Sequence, residues 1–312
     1  MWSLPARSVT WPSYSGSAEP SRLRHLSEYL LLRAALAVLD RASVGAAYSF
    51  SRGLAGLWWV VDRRRRRVAC ENILESGIET VPRRARGLSR RSAEHMGMVV
   101  VESLRSAEAL AEDRWREHVQ LEISPDVMEV LEDPKQGLIV TSGHFGSWEI
   151  AAQLLSRFKP VAGITRPMNN PRVEELILRR KPRYRFHPIP KYGADACRFL
   201  EVLKSGEILA LLTDQRARSG GVAVDFFGRP AWTYTTAAML HLVTRVPLCF
   251  ASCRRLAPMQ FELSTSPLIQ RARSGRKKDD VLAILTTLND YLEAAIRQAP
   301  EQYIWGHRRW RD

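Results

Sequence analysis

Cysteine is scarce and scattered in this chain of 312 residues: Cys70, Cys197, Cys249 and Cys253 are all there are. Their spacing gives neither a disulfide framework nor a zinc pattern, which points to free thiols in a reducing compartment. There is no serine-nucleophile elbow, no cluster of metal ligands, no glycine-rich phosphate loop, no dinucleotide fingerprint and no internal repeat. Acyl-serine chemistry, solenoid architecture, a metal and a resident cofactor are therefore not expected. Acidic residues are also in short supply, 33 against 47 lysines and arginines, for a net charge of +14. That excess favours an anionic partner: nucleic acid, an anionic membrane face or an acidic carrier protein.

Long apolar runs are missing too. Residues 1–27 are rich in Ser, Pro and Arg without an apolar core, so they read as a disordered extension and not as a secretory signal. Residues 29–61 turn apolar, but Arg33, Asp40, Arg41 and Arg52 interrupt them. Arg52 falls near the middle of the cleanest window, 42–61, and a central arginine costs roughly 2.5–3.5 kcal/mol on insertion scales. Gly45, Gly53 and Gly56 weaken the same window as an isolated helix. Residues 28–75 thus read as membrane-associated helices, lying in the interface or packed on a domain. Trp58 and Trp59 followed by five arginines, Arg63 to Arg67, strengthen that reading: indoles favour the headgroup zone, and each basic residue near anionic lipid gains about 1 kcal/mol.

Beyond Pro134 the rhythm changes. Short apolar runs at 138–140, 160–165, 207–213, 222–227, 247–253 and 261–264 alternate with helical stretches at 147–157, 171–181, 194–204, 235–243 and 278–298. Strand alternating with helix implies an α/β fold with a mostly parallel central sheet flanked by helices. Residues 76–312 are read as that domain.

The densest stretch of chemistry is Ile139-Val-Thr-Ser-Gly-His144-Phe-Gly-Ser-Trp-Glu149-Ile. An apolar strand delivers His144 between Gly143 and Gly146, at the carboxyl end where open α/β sheets collect active-site residues. Glu149 follows on the first turn of the next helix, in reach to orient the imidazole and raise its basicity. The glycines permit close approach of a ligand, and amides at the helix start can hold a developing oxyanion. Arg166 ends the next apolar run and is suited to phosphate or oxyanion. Asp214 and Gln215 end a third run; a carboxylate there can hold an arginine or cap a helix. Phe226 and Phe227, in a turn leading to a helix, either wall an acyl pocket or belong to the core. Arg308 and Arg309, between Trp305 and Trp310, suit phosphate or a packed rim.

Taken in order, His144-Phe-Gly-Ser-Trp-Glu149, Arg166-Pro, Asp214-Gln215, Phe226-Phe227-Gly228 and Pro300-Glu-Gln-Tyr-Ile-Trp305 with His307-Arg308-Arg309-Trp310 resemble the bacterial lipid A biosynthesis (late lauroyl and myristoyl) acyltransferase family, which includes the phosphatidylinositol mannoside acyltransferases. Arg63 to Leu74 resembles the arginine-rich helix of that family. The resemblance implies an α/β acyltransferase on the cytoplasmic face of a bacterial inner membrane. It implies an acyl carrier protein or coenzyme A thioester as donor and an anionic membrane glycolipid as acceptor, with no nucleic acid partner. By the family's pattern His144 is the base, Glu149 its partner and Arg166 the oxyanion or phosphate stabiliser. The acceptor's identity stays open between a lipid A precursor, a phosphatidylinositol mannoside, a glycerolipid and an ornithine-type lipid. Hydrolysis, with water in place of the acceptor, and a basic non-catalytic binding module are the competing readings.

Overall fold

The computed structural model describes residues 22–111, 113–180, 184–191, 196–270 and 274–310. Four helices open it: α1 (Arg22–Arg41), α2 (Val44–Val61), α3 (Arg63–Glu75) and α4 (Pro82–Ala109). Next come α5 (Trp115–His118), β1 (Val119–Glu122), α6 (Pro125–Glu132), β2 (Leu138–Ser142), α7 (Trp148–Phe158), β3 (Val161–Thr165) and α8 (Pro171–Arg180). The remainder is β4 (Phe186–Pro190), α9 (Ala196–Lys204), β5 (Ile208–Leu212), β6 (Gly221–Phe226), β7 (Arg229–Tyr234), α10 (Thr236–Thr244), β8 (Leu248–Ala257), β9 (Gln260–Thr265), α11 (Lys277–Gln298) and a closing 3-10 turn, Pro300–Gln302.

Seven strands form one sheet in the order β1-β9-β8-β2-β5-β3-β4, parallel except at β8–β9. β2 lies at its centre, and Leu138, Ile139, Val140 and Thr141 are buried on both faces. A strand covered on both sides by helices needs a continuous apolar run, which is why this segment shows no alternation. The flanking helices pair with the sheet in two apolar clusters: Leu211, Leu285, Leu288 and Leu292 lie in one, Val140, Ile150, Leu154 and Val161 in the other.

Three segments differ from the sequence expectation. The run at 222–227 does not join the main sheet; β6 turns back at Phe227 and Gly228, both with positive φ, and pairs antiparallel with β7. Its partner strand, Arg-Pro-Ala-Trp-Thr-Tyr, carries a proline, and Pro breaks the strand signal in a sequence reading. β4, Phe-His-Pro-Ile-Pro, was hidden by two prolines and is tolerated because it is the sheet's edge. Arg22 to Ser27, expected in the disordered extension, are helical in α1; residues 1–21 of that extension lie outside the described residues.

The N-terminal apolar segment is broken into separate helices. None of the described helices is long and apolar enough to cross a membrane. Ser43 caps α2, its hydroxyl accepting from the Ala46 amide at 3.3 Å. Asp62 ends α2 and starts α3 at once: its amide donates to the Trp58 carbonyl, and its carboxylate accepts from the Arg65 amide at 2.9 Å. α2 packs along α4, and Arg52, the residue that broke the apolar window, points to Glu94 on α4 at 3.4 Å, where Arg90 also pairs. The tryptophan pair splits. Trp58 is 57% exposed, whereas Trp59 is buried, donates its indole N–H to Ser89 and sits between the Arg66 and Arg86 guanidiniums. The expectation that both indoles face outward is therefore corrected: only Trp58 does.

Gly97 lets α2 and α4 touch: a Cβ there would lie 2.7 Å from the Ser51 carbonyl oxygen and 3.1 Å from the Ala55 methyl. Both obstacles belong to a packed helix, so Gly97→Val is expected to destabilise the protein by about 1–3 kcal/mol. A urea-unfolding midpoint equal to that of the unsubstituted protein would contradict this.

Candidate active site

His144 owes its position to strand register. β2 and β5 are parallel neighbours with Ser142 opposite Leu212, so the residues two places beyond each strand, His144 and Asp214, arrive side by side. The Asp214 carboxylate takes both available donors: Oδ1 lies 2.8 Å from the imidazole Nδ1, and Oδ2 accepts the His144 amide at 2.9 Å. With Nδ1–H turned to the carboxylate, Nε2 carries the lone pair. That nitrogen lies 3.4 Å from the Gln215 side-chain nitrogen. Trp148 meets the ring edge-on at a centroid distance of 5.1 Å, and His307 lies across from it at 6.1 Å.

The electrostatics of the pair are cooperative. Burial disfavours the charged imidazole, but the charge and hydrogen bond of Asp214 outweigh it, so the His144 pKa is raised above its ordinary 6.5. Asp214 has a fully buried side chain; burial pushes its pKa up, yet the contact with His144, the His144 amide and the charge of Arg309 bring it below the usual carboxylate value. Burial also dominates at His307, whose pKa is lowered.

Glu149 is not what holds the imidazole Nδ1. It stands on the first turn of α7, and its carboxylate accepts the Ser103 hydroxyl of α4. The sequence analysis expected Glu149 to orient the imidazole; at Nδ1 the partner is Asp214, delivered by the end of the neighbouring strand. The glycines also serve the protein itself. A Cβ on Gly143 would lie 2.8 Å from Leu292 Cδ1 and 3.3 Å from Asp214 Cβ. Gly146 has φ +59°, and a Cβ there would lie 2.0 Å from the Cys253 carbonyl oxygen. They therefore admit neighbouring protein, where a ligand was expected. The amides of His144, Gly146 and Ser147 are likewise engaged, by Asp214, the Gln302 carbonyl and the Cys253 carbonyl. These three amides are not free to serve an oxyanion.

The loop carrying His144 is held from behind. Ile304 donates to the His144 carbonyl at 3.2 Å, and Ser92 on α4 donates to the Tyr303 carbonyl at 2.5 Å. Deeper lies a buried polar cluster that sequence reading missed. Glu102 accepts from Tyr48 at 2.8 Å, from the Ser147 hydroxyl and from Arg255, and His95 meets the Gly146 carbonyl at 3.2 Å. Burial drives the His95 pKa well below 6.5, so it is neutral there and donates from Nε2. Asn72, also missed, donates its amide group to the carbonyls of Trp305 and His307, at 2.8 and 2.7 Å. Its only sequence signal was its place after the arginine run.

Arg166 follows β3, which is separated from β2 by β5. It nevertheless lines the same groove as Gln215 and His307. That groove, about 1600 Å³, is lined by apolar side chains of α1, α2 and α4, among them Leu36, Leu54, Val100 and Leu104, and by Arg166, Arg216, Arg218 and Arg308. Phe226 and Phe227 are buried against Trp310, Tyr303 and Trp305 and belong to the core, not to a groove wall. Arg309 is 1% exposed; it donates to the Trp232 carbonyl at 2.9 Å and to the Thr233 hydroxyl at 2.8 Å, and its guanidinium lies over Phe226. It is a clamp behind Asp214, so its expected role as a phosphate contact is corrected. Among the described residues no group of His, Cys, Asp and Glu is placed to hold a metal ion. The four thiols are free, with Cys249 and Cys253 buried and Cys197 exposed; burial pushes Cys249 up to about 12.

An imidazole with a buried carboxylate at its back, at the strand ends of a parallel sheet and beside a groove lined both by apolar helix side chains and by arginines, marks the centre of this α/β protein. The chain belongs to the bacterial lipid A biosynthesis acyltransferase family, whose model matches residues 19–312. It is 27% identical over 201 residues to a lipid A biosynthesis lauroyltransferase of Escherichia coli (strain K12), covering 64% of this chain and 62% of that protein. It is 27% identical over 179 residues both to a lipid A biosynthesis palmitoleoyltransferase of Escherichia coli (strain K12) and to a lipid A biosynthesis acyltransferase of Shigella flexneri, with 56% of each chain covered. In each case less than two thirds of the relative's length is spanned.

Because the folded pKa of His144 is raised, the stabilisation from its pairing with Asp214 is complete below 6.5 and is lost as pH rises through the folded value. Asp214→Asn removes the attraction and leaves burial, so the His144 pKa is expected to fall. An NMR titration of the ring in which the pKa stays put would contradict the pairing.

Proposed function

We propose that this protein transfers a fatty acyl chain from a thioester donor, carried by acyl carrier protein or coenzyme A, to a hydroxyl of a membrane glycolipid, a lipid A precursor being the acceptor its family favours. The observation that carries this reading is the His144–Asp214 pair opening beside the long groove. A thioester is already activated, so no acyl-enzyme is needed. Neutral His144 takes the acceptor's hydroxyl proton on Nε2 as that oxygen attacks the thioester carbonyl. The imidazolium so formed faces Asp214, which stabilises it without taking the proton. The tetrahedral oxyanion then collapses; the C–S bond breaks, and the thiolate recovers the proton from His144. Arg166 is the cation assigned to the oxyanion or an acceptor phosphate, supported by its place on the groove wall. Glu149 acts on this reading from behind, through Ser103 and the start of α7.

Residence at the cytoplasmic face of an inner membrane is the matching proposal. It rests on the outward apolar side chains of α1 and α2, among them Leu23, Leu31, Leu57, Trp58 and Val61. Leu57, Trp58 and Val61 also line the groove, so that an acyl chain and the anchored acceptor can reach it from the lipid surface.

His144→Ala is expected to lower acyl transfer about 10²- to 10⁴-fold without unfolding the protein. In the unsubstituted protein kcat/KM should climb with pH through a value above 6.5, since the base must be neutral, and Asp214→Asn should move that limb to lower pH while reducing the rate. Glu149→Gln should leave the limb where it is. Transfer assayed with lauroyl-carrier protein and lipid A precursor across pH 5–9 reads all three; retained transfer in His144→Ala would refute the assignment.

A further inference from the structure

A second recess, about 640 Å³, lies on the other side of Arg308 from the groove; that arginine lines both spaces. Its walls are Arg63, Arg64 and Arg67 of α3, Arg229 at the start of β7, and Trp310. Among the described residues only two carboxylates face it, Glu71 and Glu75, and Glu75 is paired with Arg229. The Arg229 guanidinium also lies over the Trp310 ring at 5.1 Å, and that ring stacks on buried Phe226, so one wall is rigid. Asn72 closes the floor and is the residue that holds the His307 carbonyl at 2.7 Å, which ties the recess to the imidazole site. None of the exposed apolar side chains of α1 and α2 lines this space.

Nothing in the proton transfer uses this recess. Its chemistry is that of an anion receptor: several guanidiniums converge on a polar cavity with an aromatic wall, and guanidinium forks bind phosphate oxygens in pairs. Both partners in an acyl transfer of this kind carry phosphate, the donor and the acceptor. The acceptor is anchored by its own chains to the apolar side, whereas the donor comes from water. We infer that the recess binds the phosphate at the end of the donor's pantetheine arm, with Arg308 at the passage through which the arm enters the groove and carries the thioester to His144. The inference rests on the thioester-donor reading above. Carrier protein and coenzyme A share this phosphate, and the site recognises the shared group.

The test uses the full chain with His144→Ala as background, so that no donor is consumed. Binding of coenzyme A and of pantetheinylated carrier protein is measured by calorimetry with and without Arg64→Glu/Arg67→Glu. These side chains are exposed on α3, so the fold should survive; the milder Arg64→Gln/Arg67→Gln and a thermal melt control for misfolding. Both ligands are expected to bind about 10- to 100-fold more weakly, as losing charge-assisted hydrogen bonds requires. Weakening should shrink at high salt. In the active enzyme the donor KM should rise and the acceptor KM should not. Unchanged affinity for coenzyme A overturns the inference, including the case where carrier protein alone is weakened, which would mean contact with the carrier's surface. A rise in acceptor KM alone overturns it in favour of the lipid phosphate. Failure of the thioester reading is separate: it would appear as transfer that survives His144→Ala, or as no turnover of any acyl thioester.

Discussion

Two hydrogen bonds donated by His144 to one buried carboxylate organise this site. Asp214 grips both the Nδ1 and the backbone amide of His144, so it fixes the ring's tautomer, its rotation and the path of the chain that carries it. Neither end of this contact is adjustable, because both residues sit two places past paired strands at the centre of the sheet. The Asp214 side chain has no exposure, and an unpaired carboxylate there would be strongly destabilising. The pair therefore fixes the fold and the candidate site with one geometry. Arg309 completes it from the interior, its charge lowering the carboxylate's pKa while its own hydrogen bonds tie the C-terminal tail to β7.

The C-terminal tail acts as a strap over the loop that follows β2. Gln302 accepts from the Gly146 amide, Ile304 donates to the His144 carbonyl, and Trp305 and His307 are held by Asn72 of α3. Beneath the loop, Glu102 and Arg255 form a buried ion pair that also engages Ser147 and Tyr48. A buried ion pair contributes little net stability against an apolar alternative, but it fixes geometry, since each partner's absence would strand the other. Elements from residues 48 to 307 thus converge on four residues of loop. Rigid support of this kind holds the imidazole and its carboxylate in one geometry.

Several features were legible from residues alone. The apolar run 138–140 led to a central strand, and the small residues around His144 marked a tight strand end. Arg52 in the apolar window already argued against a span, and its contact with Glu94 gives the physical reason it is tolerated. What escaped was everything that depends on which strands are neighbours. β5 lies between β2 and β3, so the carboxylate beside His144 comes from 70 positions away, whereas the carboxylate five residues on turns to Ser103. Arg309 and Trp59 looked like surface groups because arginine and tandem indoles usually are. Only packing reveals that one lies inside the clamp and the other between two guanidiniums.

Periodicity, the basic excess and the order of short motifs are properties of the chain itself, and they determined the α/β class and the expectations of a base at His144 and of an anionic, lipid-linked partner. Local spacing bounds what a residue can reach along its own helix or strand, and no further. The orienting carboxylate, the inward turn of Arg309, the separation of β6 and β7 from the sheet and the recess between α3 and Trp310 were decided by tertiary structure. Contacts between distant segments follow from strand order and packing volume, and neither is written in any one window of sequence.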